Sequence, residues 1–195
     1  VVTASTAVPD LVHRAEALAT AMRFERSSIP EIGRLLTVLV AQRPRGRFAE
    51  IGTGCGVGAA WIASALDPEA AFVTVEADAE RAAASGRLFE ELPNLRVIHG
   101  DWHEALPPEA PFDLLFFDGG HWKSGDVPGE SEQALALVPS GGIVVIDDLT
   151  PEALWPEEWR GRPDPVREFW LGDPRLTAAE VLTTPQTAAI LAVRA

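Results

Sequence analysis

Apolar positions along this 195-residue chain follow two spacings, one typical of amphipathic helices and one of buried strands. Near the start, apolar residues three and four apart predict two helices, the first capped by Asp10 and the second beginning at Pro30. Short apolar runs then predict five strands with helix patterns between them, at residues 47–52, 71–76, 95–100, 112–118 and 142–147. Alternation of this kind predicts an α/β fold with a parallel sheet covered by helices on both faces.

The last part of the chain departs from this alternation. Residues 178–183 and 187–193 have strand character and are joined by a turn around Pro185, which predicts an antiparallel hairpin. The sequence shows no internal repeat, low-complexity segment or domain boundary. We therefore expect residues 1–195 to form a single domain, in which N-terminal helices within residues 1–42 cover a crevice of the core at residues 47–195.

Composition narrows the class of protein. Apolar residues make up 47% of the chain and charged residues 23%, as in ordinary globular proteins. The formal net charge of −13 argues against a nucleic-acid partner, because few basic groups are available to neutralise phosphates. The single cysteine, Cys55, excludes a disulfide framework, and neither a long apolar segment nor a signal-like pattern is evident. We expect a cytoplasmic protein with no membrane partner.

The segment from Phe48 to Gly58 carries the strongest chemical signal. A strand runs directly into glycines at alternate positions, and a helix pattern follows; the glycines are Gly52, Gly54, Gly56 and Gly58. Because glycine allows tight turns, backbone N–H groups at such a helix start can approach a ligand closely. Dinucleotide-binding enzymes use the same device, and Gly54-x-Gly56-x-x-Ala59 fits their fingerprint. The glycines alone therefore leave the class of ligand open.

Two glutamates beside this loop narrow the choice. Glu50 precedes the first glycine, where it would repel a pyrophosphate and attract a cation. Glu76 ends the next strand, at the place where a carboxylate commonly holds two ribose hydroxyls. Together they suit a nucleoside that carries a positive charge and no phosphates, a description that fits S-adenosylmethionine (SAM).

With these residues the chain resembles the class I SAM-dependent methyltransferases. Its segment 29–36 is similar to the lead-in of the catechol O-methyltransferase-like branch, which includes metal-dependent O-methyltransferases. The resemblance implies a Rossmann-like seven-stranded sheet, mostly parallel with a C-terminal antiparallel hairpin and with helices on both faces. It also implies that the cofactor is bound by Ser28, Glu50, Gly52, Gly54, Gly58 and Glu76.

Acids also close the later predicted strands. Gly100-Asp101-Trp102 follows the third strand, where the family holds the adenine, which makes Asp101 and Trp102 candidate cofactor contacts. The alternative is that Asp101 caps a helix and Trp102 packs in the core. Asp118 ends the fourth strand and is a further candidate cofactor contact.

Three carboxylates at two neighbouring strand ends predict a metal site. Asp118 ends the fourth strand, and Asp147 and Asp148 end the fifth. Such an oxygen-rich set suits Mg²⁺ or Ca²⁺, and metal-dependent O-methyltransferases place acids at these positions. The alternative is that Asp118 orients the cofactor and Asp147 caps a turn, with no metal bound.

Two residues after the fourth strand are candidate catalytic bases. The resemblance implies a lysine three residues after the fourth-strand aspartate, but His121 has that offset and Lys123 lies two residues later. We prefer His121, since an unperturbed imidazole pKa of about 6.5 suits proton transfer near neutral pH. Either residue could instead be a solvated loop residue.

The sequence thus predicts a SAM-dependent methyltransferase, with metal-assisted O-methylation of a small hydroxylated, aromatic or catechol-like molecule. Tryptophans after the fifth strand, in residues 154–159 and at Trp170, line an acceptor pocket in one interpretation. In the other they bury against the sheet edge or in a homodimer interface. The alternative functions are a non-catalytic SAM-binding protein and, third, a nicotinamide-dependent dehydrogenase.

Overall fold

The described part of the chain forms seven strands and seven α-helices. A computed structural model describes residues 7–119 and 129–195. In chain order the elements are α1 (Asp10–Ala21), α2 (Pro30–Ala41), β1 (Arg47–Ile51), α3 (Val57–Ala63), β2 (Ala71–Glu76), α4 (Ala79–Leu88), β3 (Leu95–His99), α5 (Trp102–Ala105), β4 (Leu114–Phe117), α6 (Glu130–Ala136), β5 (Ile143–Leu149), α7 (Pro165–Gly172), β6 (Leu176–Leu182) and β7 (Ala188–Arg194). Short 3₁₀ helices lie at Pro107–Glu109 and Glu152–Leu154. Among the described helices, none has the length and apolar character needed to cross a membrane.

All seven strands belong to one mixed sheet in the order β3-β2-β1-β4-β5-β7-β6. Strands β1 to β5 are parallel, whereas β7 pairs antiparallel with both β5 and β6. The β6–β7 hairpin therefore inserts an antiparallel strand beside β5, and the predicted fold class is confirmed. The chain places β2 and β3 on one side of β1, and then β4 and β5 on the other side. Open α/β sheets bind ligands at such a change of direction.

The sheet separates two apolar cores. Successive residues of the central strands face opposite sides, so that Phe48 and Phe116 pack with helices α1 to α3. Ile51 and Phe117 face the other core, which also contains the fully buried Trp170 of α7. Both faces are therefore covered, as the near-continuous apolar runs predicted.

The aspartates at the starts of α1, α4 and α7 differ in whether they cap their helix. Asp78 and Asp164 accept backbone N–H groups at the first turns of α4 and α7. Asp10 is instead the first residue of α1, and Pro9 precedes it without a side-chain cap. The predicted cap at Asp10 is therefore wrong by one position. That the chain is a single domain, in which helices within residues 1–42 cover the crevice, stays a prediction.

Strand β5 differs from its predicted extent for a physical reason. It was expected to end at residue 147 but continues to Leu149. Its pairing with β7 shifts register between Ile146 and Leu149, which leaves Asp147 and Asp148 in a β-bulge. Bulges of this kind bend a strand and redirect its side chains, and they are common next to active sites.

Candidate functional site

A cavity of about 980 Å³ lies at the carboxyl ends of the central parallel strands. Its walls come from the glycine loop after β1, from the ends of β2, β3 and β4, and from residues 24–28 after α1. Small-molecule sites commonly occupy about 300–1,000 Å³. The cavity thus has room for a nucleoside cofactor and a second small molecule.

The glycine loop has a backbone that few other residues could adopt. Gly52 and Gly54 have φ values of 95° and 54°, in the left-handed region that favours glycine. A Cβ at Gly52 would lie 3.0 Å from the backbone oxygen of Asp118, so the loop also runs close to the end of β4. The predicted tight turn is what the structure shows, whereas the close approach of this backbone to a ligand stays a prediction.

Gly58 is required for a different reason. A Cβ there would lie 2.5 Å from Glu50 Oε1 and 2.8 Å from Ser28 Oγ. The first turn of α3 thus packs directly against two predicted cofactor residues. Ser28 also donates to Asp118 Oδ2 at 3.4 Å, and both residues line the cavity.

Glu76 joins β2 to the glycine loop. Its Oε2 accepts from the backbone N–H of Gly54 at 2.7 Å. Its Oε1 accepts from the backbone N–H of Asp78 at 2.9 Å and from Arg81 Nε and Nη2 at 3.2 and 2.8 Å. The predicted ribose acceptor is therefore held in place at the cavity wall. Arg81 was not among the predicted site residues, although its place in the first turn after the Asp78 cap is a signal that it can reach back to the strand end.

Glu50 is fully buried behind the glycine loop. Its Oε2 accepts from Thr74 Oγ1 at 2.5 Å, and within the described residues its Oε1 has no hydrogen-bond partner. Burial raises the pKa of Glu50 well above its ordinary value; the Thr74 hydrogen bond opposes this, and the charges of Asp118 and Glu76 add to it. A cation bound nearby would therefore favour ionisation of Glu50.

This burial predicts a pH-dependent effect on stability. Because the pKa of Glu50 is raised in the folded protein, protonated Glu50 contributes favourably to the free energy of unfolding. This contribution is complete below the pKa of the unfolded state and is lost as pH rises through the pKa of the folded state. Glu50→Gln removes the ionisation, so we expect it to raise Tm relative to wild type by a few degrees at pH 8 and by less at pH 5, at about 2–4 °C per kcal/mol. Thermal melts monitored by circular dichroism would measure this difference.

The matched control is Glu91→Gln, because Glu91 is exposed after α4. It should leave Tm unchanged at both pH values. A Tm difference between Glu50→Gln and wild type that is equal at pH 5 and pH 8 would contradict the assigned ionisation.

Asp101 and Trp102 line the cavity but also have structural roles. Asp101 caps α5, where its Oδ1 accepts from the backbone N–H of His103 at 2.9 Å and lies 2.6 Å from Nδ1 of the same residue. These two contacts with His103, the backbone N–H first, lower the pKa of Asp101. Trp102 stacks on the His103 ring at 3.9 Å and meets Phe117 edge-on at 5.4 Å. The capping and packing interpretations thus hold for both residues, and adenine contact stays a prediction.

His103 and Glu130, neither of them among the predicted site residues, complete this wall. His103 Nε2 lies 3.6 Å from Glu130 Oε1, although the two residues are far apart in the chain. Both line the cavity. The tertiary fold brings these two side chains together, so no local pattern could have paired them.

Asp118, Asp147 and Asp148 converge as predicted. One carboxylate oxygen from each lies within 4.8 Å of the other two. Asp147 is buried and Asp148 is exposed, with a positive φ of 60° at the bulge in β5. Three hard oxygen donors at this spacing fit Mg²⁺ or Ca²⁺.

Of the remaining predicted residues, those that the structure describes do not line this cavity. His121 and Lys123 lie outside the described residues. Trp170 is buried in the core, and Trp155 donates to the backbone oxygen of Thr150 at 3.0 Å. Trp159 is 47% exposed. The burial interpretation therefore holds for Trp170, and a role for Trp155 or Trp159 in an acceptor pocket stays a prediction.

Comparison with known proteins agrees with this geometry. The family described as Methyltransferase domain matches residues 49–149, which is 101 of 195 residues. The protein-L-isoaspartate O-methyltransferase of Methanopyrus kandleri is 29% identical over 138 residues, covering 68% of this chain and 58% of that protein. The chain spans little more than half the length of the curated relatives it matches.

Solved structures show the same fold. An O-methyltransferase from Bacillus cereus, in complex with S-adenosylhomocysteine (SAH), superposes with a TM-score of 0.80 at 22% identity, covering 98% of this chain and 94% of that chain. An O-methyltransferase from Streptomyces achromogenes involved in tomaymycin synthesis, in complex with SAM, has a TM-score of 0.76 at 23% identity and covers 96% and 91%. With the glycine loop, its strand-end acids and the family match over half of its length, this chain belongs to the methyltransferase domain family.

Proposed function

We propose that this protein transfers a methyl group from SAM to a hydroxyl oxygen of a small molecule. The observation that carries the proposal is the hydrogen bond from the Gly54 N–H to Glu76, which joins the glycine loop and the ribose acceptor at one cavity. The SAH and SAM complexes of the two similar structures support this choice of cofactor. The name of the Methanopyrus relative supports oxygen as the methylated atom.

The cofactor would lie along the glycine loop from Gly52 to Gly58. In that position it would lie against the loop, and Glu76 would accept from the ribose. Glu50 adds a buried carboxyl beneath the loop, which favours the positively charged SAM over neutral SAH. Asp101 and Trp102, at the end of β3, would border the adenine.

Asp118, Asp147 and Asp148 would hold a divalent ion, Mg²⁺ or Ca²⁺. When bound, such an ion lowers the pKa of a hydroxyl that coordinates it and offsets the mutual repulsion of the three carboxylates. The fit rests on the donor set itself, three carboxylate oxygens within 4.8 Å of one another at the cavity end of β4 and β5. The bulge in β5 is the local feature that places two of them there.

The acceptor class follows from the same groups. A phenol with a pKa of about 10 is mostly protonated at neutral pH, so methylation needs a group that removes its proton. His121 or Lys123, which follow Asp118 in the chain, would accept it. A small hydroxylated aromatic molecule, of the catechol type, suits this combination of an oxygen-rich site and a base.

The proposed cofactor role of Glu76 predicts a loss of affinity on truncation. Glu76→Ala should weaken SAH binding by about 1.5–3 kcal/mol, because the ribose hydroxyls lose a charged acceptor. Titration calorimetry measures the change. Glu80→Ala, an exposed glutamate in the first turn of α4, is the matched control and should bind SAH like wild type. Unchanged affinity in Glu76→Ala would sink the proposed cofactor site.

A further inference from the structure

Arg81 is a cavity residue whose role the proposed chemistry does not explain. It lies in the first turn of α4, and its side chain extends back to the end of β2. There Nε and Nη2 both donate to Oε1 of Glu76, at 3.2 and 2.8 Å. The Glu76 side chain is only 6% exposed and that of Arg81 is 31% exposed, so the pair is partly shielded from water. Arg81 thus binds the same Glu76 carboxylate that we assign to the cofactor ribose.

The two oxygens of Glu76 differ in how many donors they already accept. An ionised carboxylate has about four lone-pair sites, two on each oxygen. Oε1 accepts from three N–H groups, those of the Asp78 backbone and of Arg81 Nε and Nη2, whereas Oε2 accepts from the Gly54 backbone alone. Oε2 therefore retains a site for one hydroxyl, and Oε1 has none to offer while Arg81 stays bound.

A ribose presents two neighbouring hydroxyls, which suit one oxygen of the carboxylate each. The backbone donors from Gly54 and Asp78 are fixed by the glycine loop and by the start of α4. The Arg81 side chain is the donor that can move, because it is held only at its tip and is partly exposed. Bidentate binding of the ribose thus requires the Arg81 guanidinium to leave Oε1.

We propose that Arg81 competes with the cofactor ribose for Oε1 of Glu76 and thereby sets the affinity for SAM and SAH. The inference rests on the proposed cofactor. Arg81 has other partners that can hold it after displacement, since Nη1 lies 3.6 Å from Asp78 Oδ2 and the guanidinium lies 5.2 Å from the centre of the Phe24 ring. SAM and SAH carry the same ribose, so the competition weakens both equally. Arg81 therefore changes the affinity for both SAM and SAH, whereas Glu50 changes the preference for charged SAM over neutral SAH.

The test compares Arg81→Ala with wild type by titration calorimetry, using SAH and its 2′,3′-dideoxy analogue. We expect Arg81→Ala to bind SAH about twofold to fivefold more tightly, the range for losing one partly exposed ion pair. The dideoxy analogue has no ribose hydroxyls to donate to Glu76, so it should bind both proteins with equal affinity. Arg81→Gln keeps an N–H donor on a shorter, uncharged side chain and should fall between wild type and Arg81→Ala.

Arg87→Ala is the matched control, because Arg87 is an exposed arginine of the same helix. It should bind SAH like wild type. Weaker SAH binding by Arg81→Ala would overturn the proposal and show that Arg81 orients Glu76 instead. Equal tightening for SAH and the dideoxy analogue would also overturn it, since the effect would then not pass through the ribose. If Arg81→Ala bound both ligands with the affinity of wild type, the competition would be contradicted but the proposed function would not. If neither wild type nor Arg87→Ala bound SAH, the proposed function itself would be contradicted.

Discussion

Exhaustive chelation with EDTA should lower methyl transfer by about 100-fold or more, and added Mg²⁺ should restore it. The reason is the arrangement of Asp118, Asp147 and Asp148, which offers three oxygen donors within 4.8 Å of one another at the cavity. Asp147→Asn removes one of the charges that would hold the ion and should blunt the recovery. Transfer of a radiolabelled methyl group from SAM to catechol, used as the probe acceptor, measures the rate.

Binding of the metal can be measured independently of activity. Paramagnetic Mn²⁺ should bind wild type, as detected by electron paramagnetic resonance, and bind Asp147→Asn at least tenfold more weakly. Asp10→Asn is the control, since Asp10 is exposed at the start of α1. Full activity after complete removal of divalent ions would leave the metal-free interpretation standing, in which Asp118 orients the cofactor.

His121→Ala should reduce kcat by about 10²- to 10⁴-fold, the usual contribution of a general base, while Lys123→Ala should cost much less. The wild-type kcat should rise with pH through an imidazole pKa of about 6.5, because only the neutral ring accepts a proton. This prediction rests on the sequence, since both residues lie outside the described part of the chain. The measurement is kcat as a function of pH for wild type and both variants.

His13→Ala provides the control, because His13 is an exposed histidine of α1 paired with Glu16. Its kcat should match that of wild type. The reverse ranking of the two loop variants would assign proton transfer to Lys123. Small and equal losses in both would show that neither residue is the base.

The fold was predictable because its signals are local. Apolar runs mark the buried parallel strands, and the hairpin pattern in residues 178–193 predicted the antiparallel end of the sheet. The glycines and Glu76 were predictable for the same reason, since a tight turn and a strand end each leave a short sequence pattern. Glu50 was identified as a candidate, but its complete burial depends on the packing of α3 and was not evident from the sequence.

Other parts of the site depend on contacts between distant segments. His103 and Glu130 meet at the cavity wall, although they are 27 positions apart in the chain. The bulge in β5 has no turn or glycine signal, yet it determines how Asp148 is presented. The competition for Glu76 became visible only from the atoms of Arg81, because sequence shows an arginine after a cap and not which carboxylate oxygen it occupies.

The most direct test of the central claim is titration calorimetry of the wild-type protein with SAM, SAH and NAD in one buffer. We predict saturable binding of SAM and SAH at one molecule per chain, with no heat of binding for NAD, because the Glu50 carboxyl buried behind the glycine loop favours a cation and disfavours a pyrophosphate there. Binding of NAD without binding of SAM or SAH would contradict the assignment.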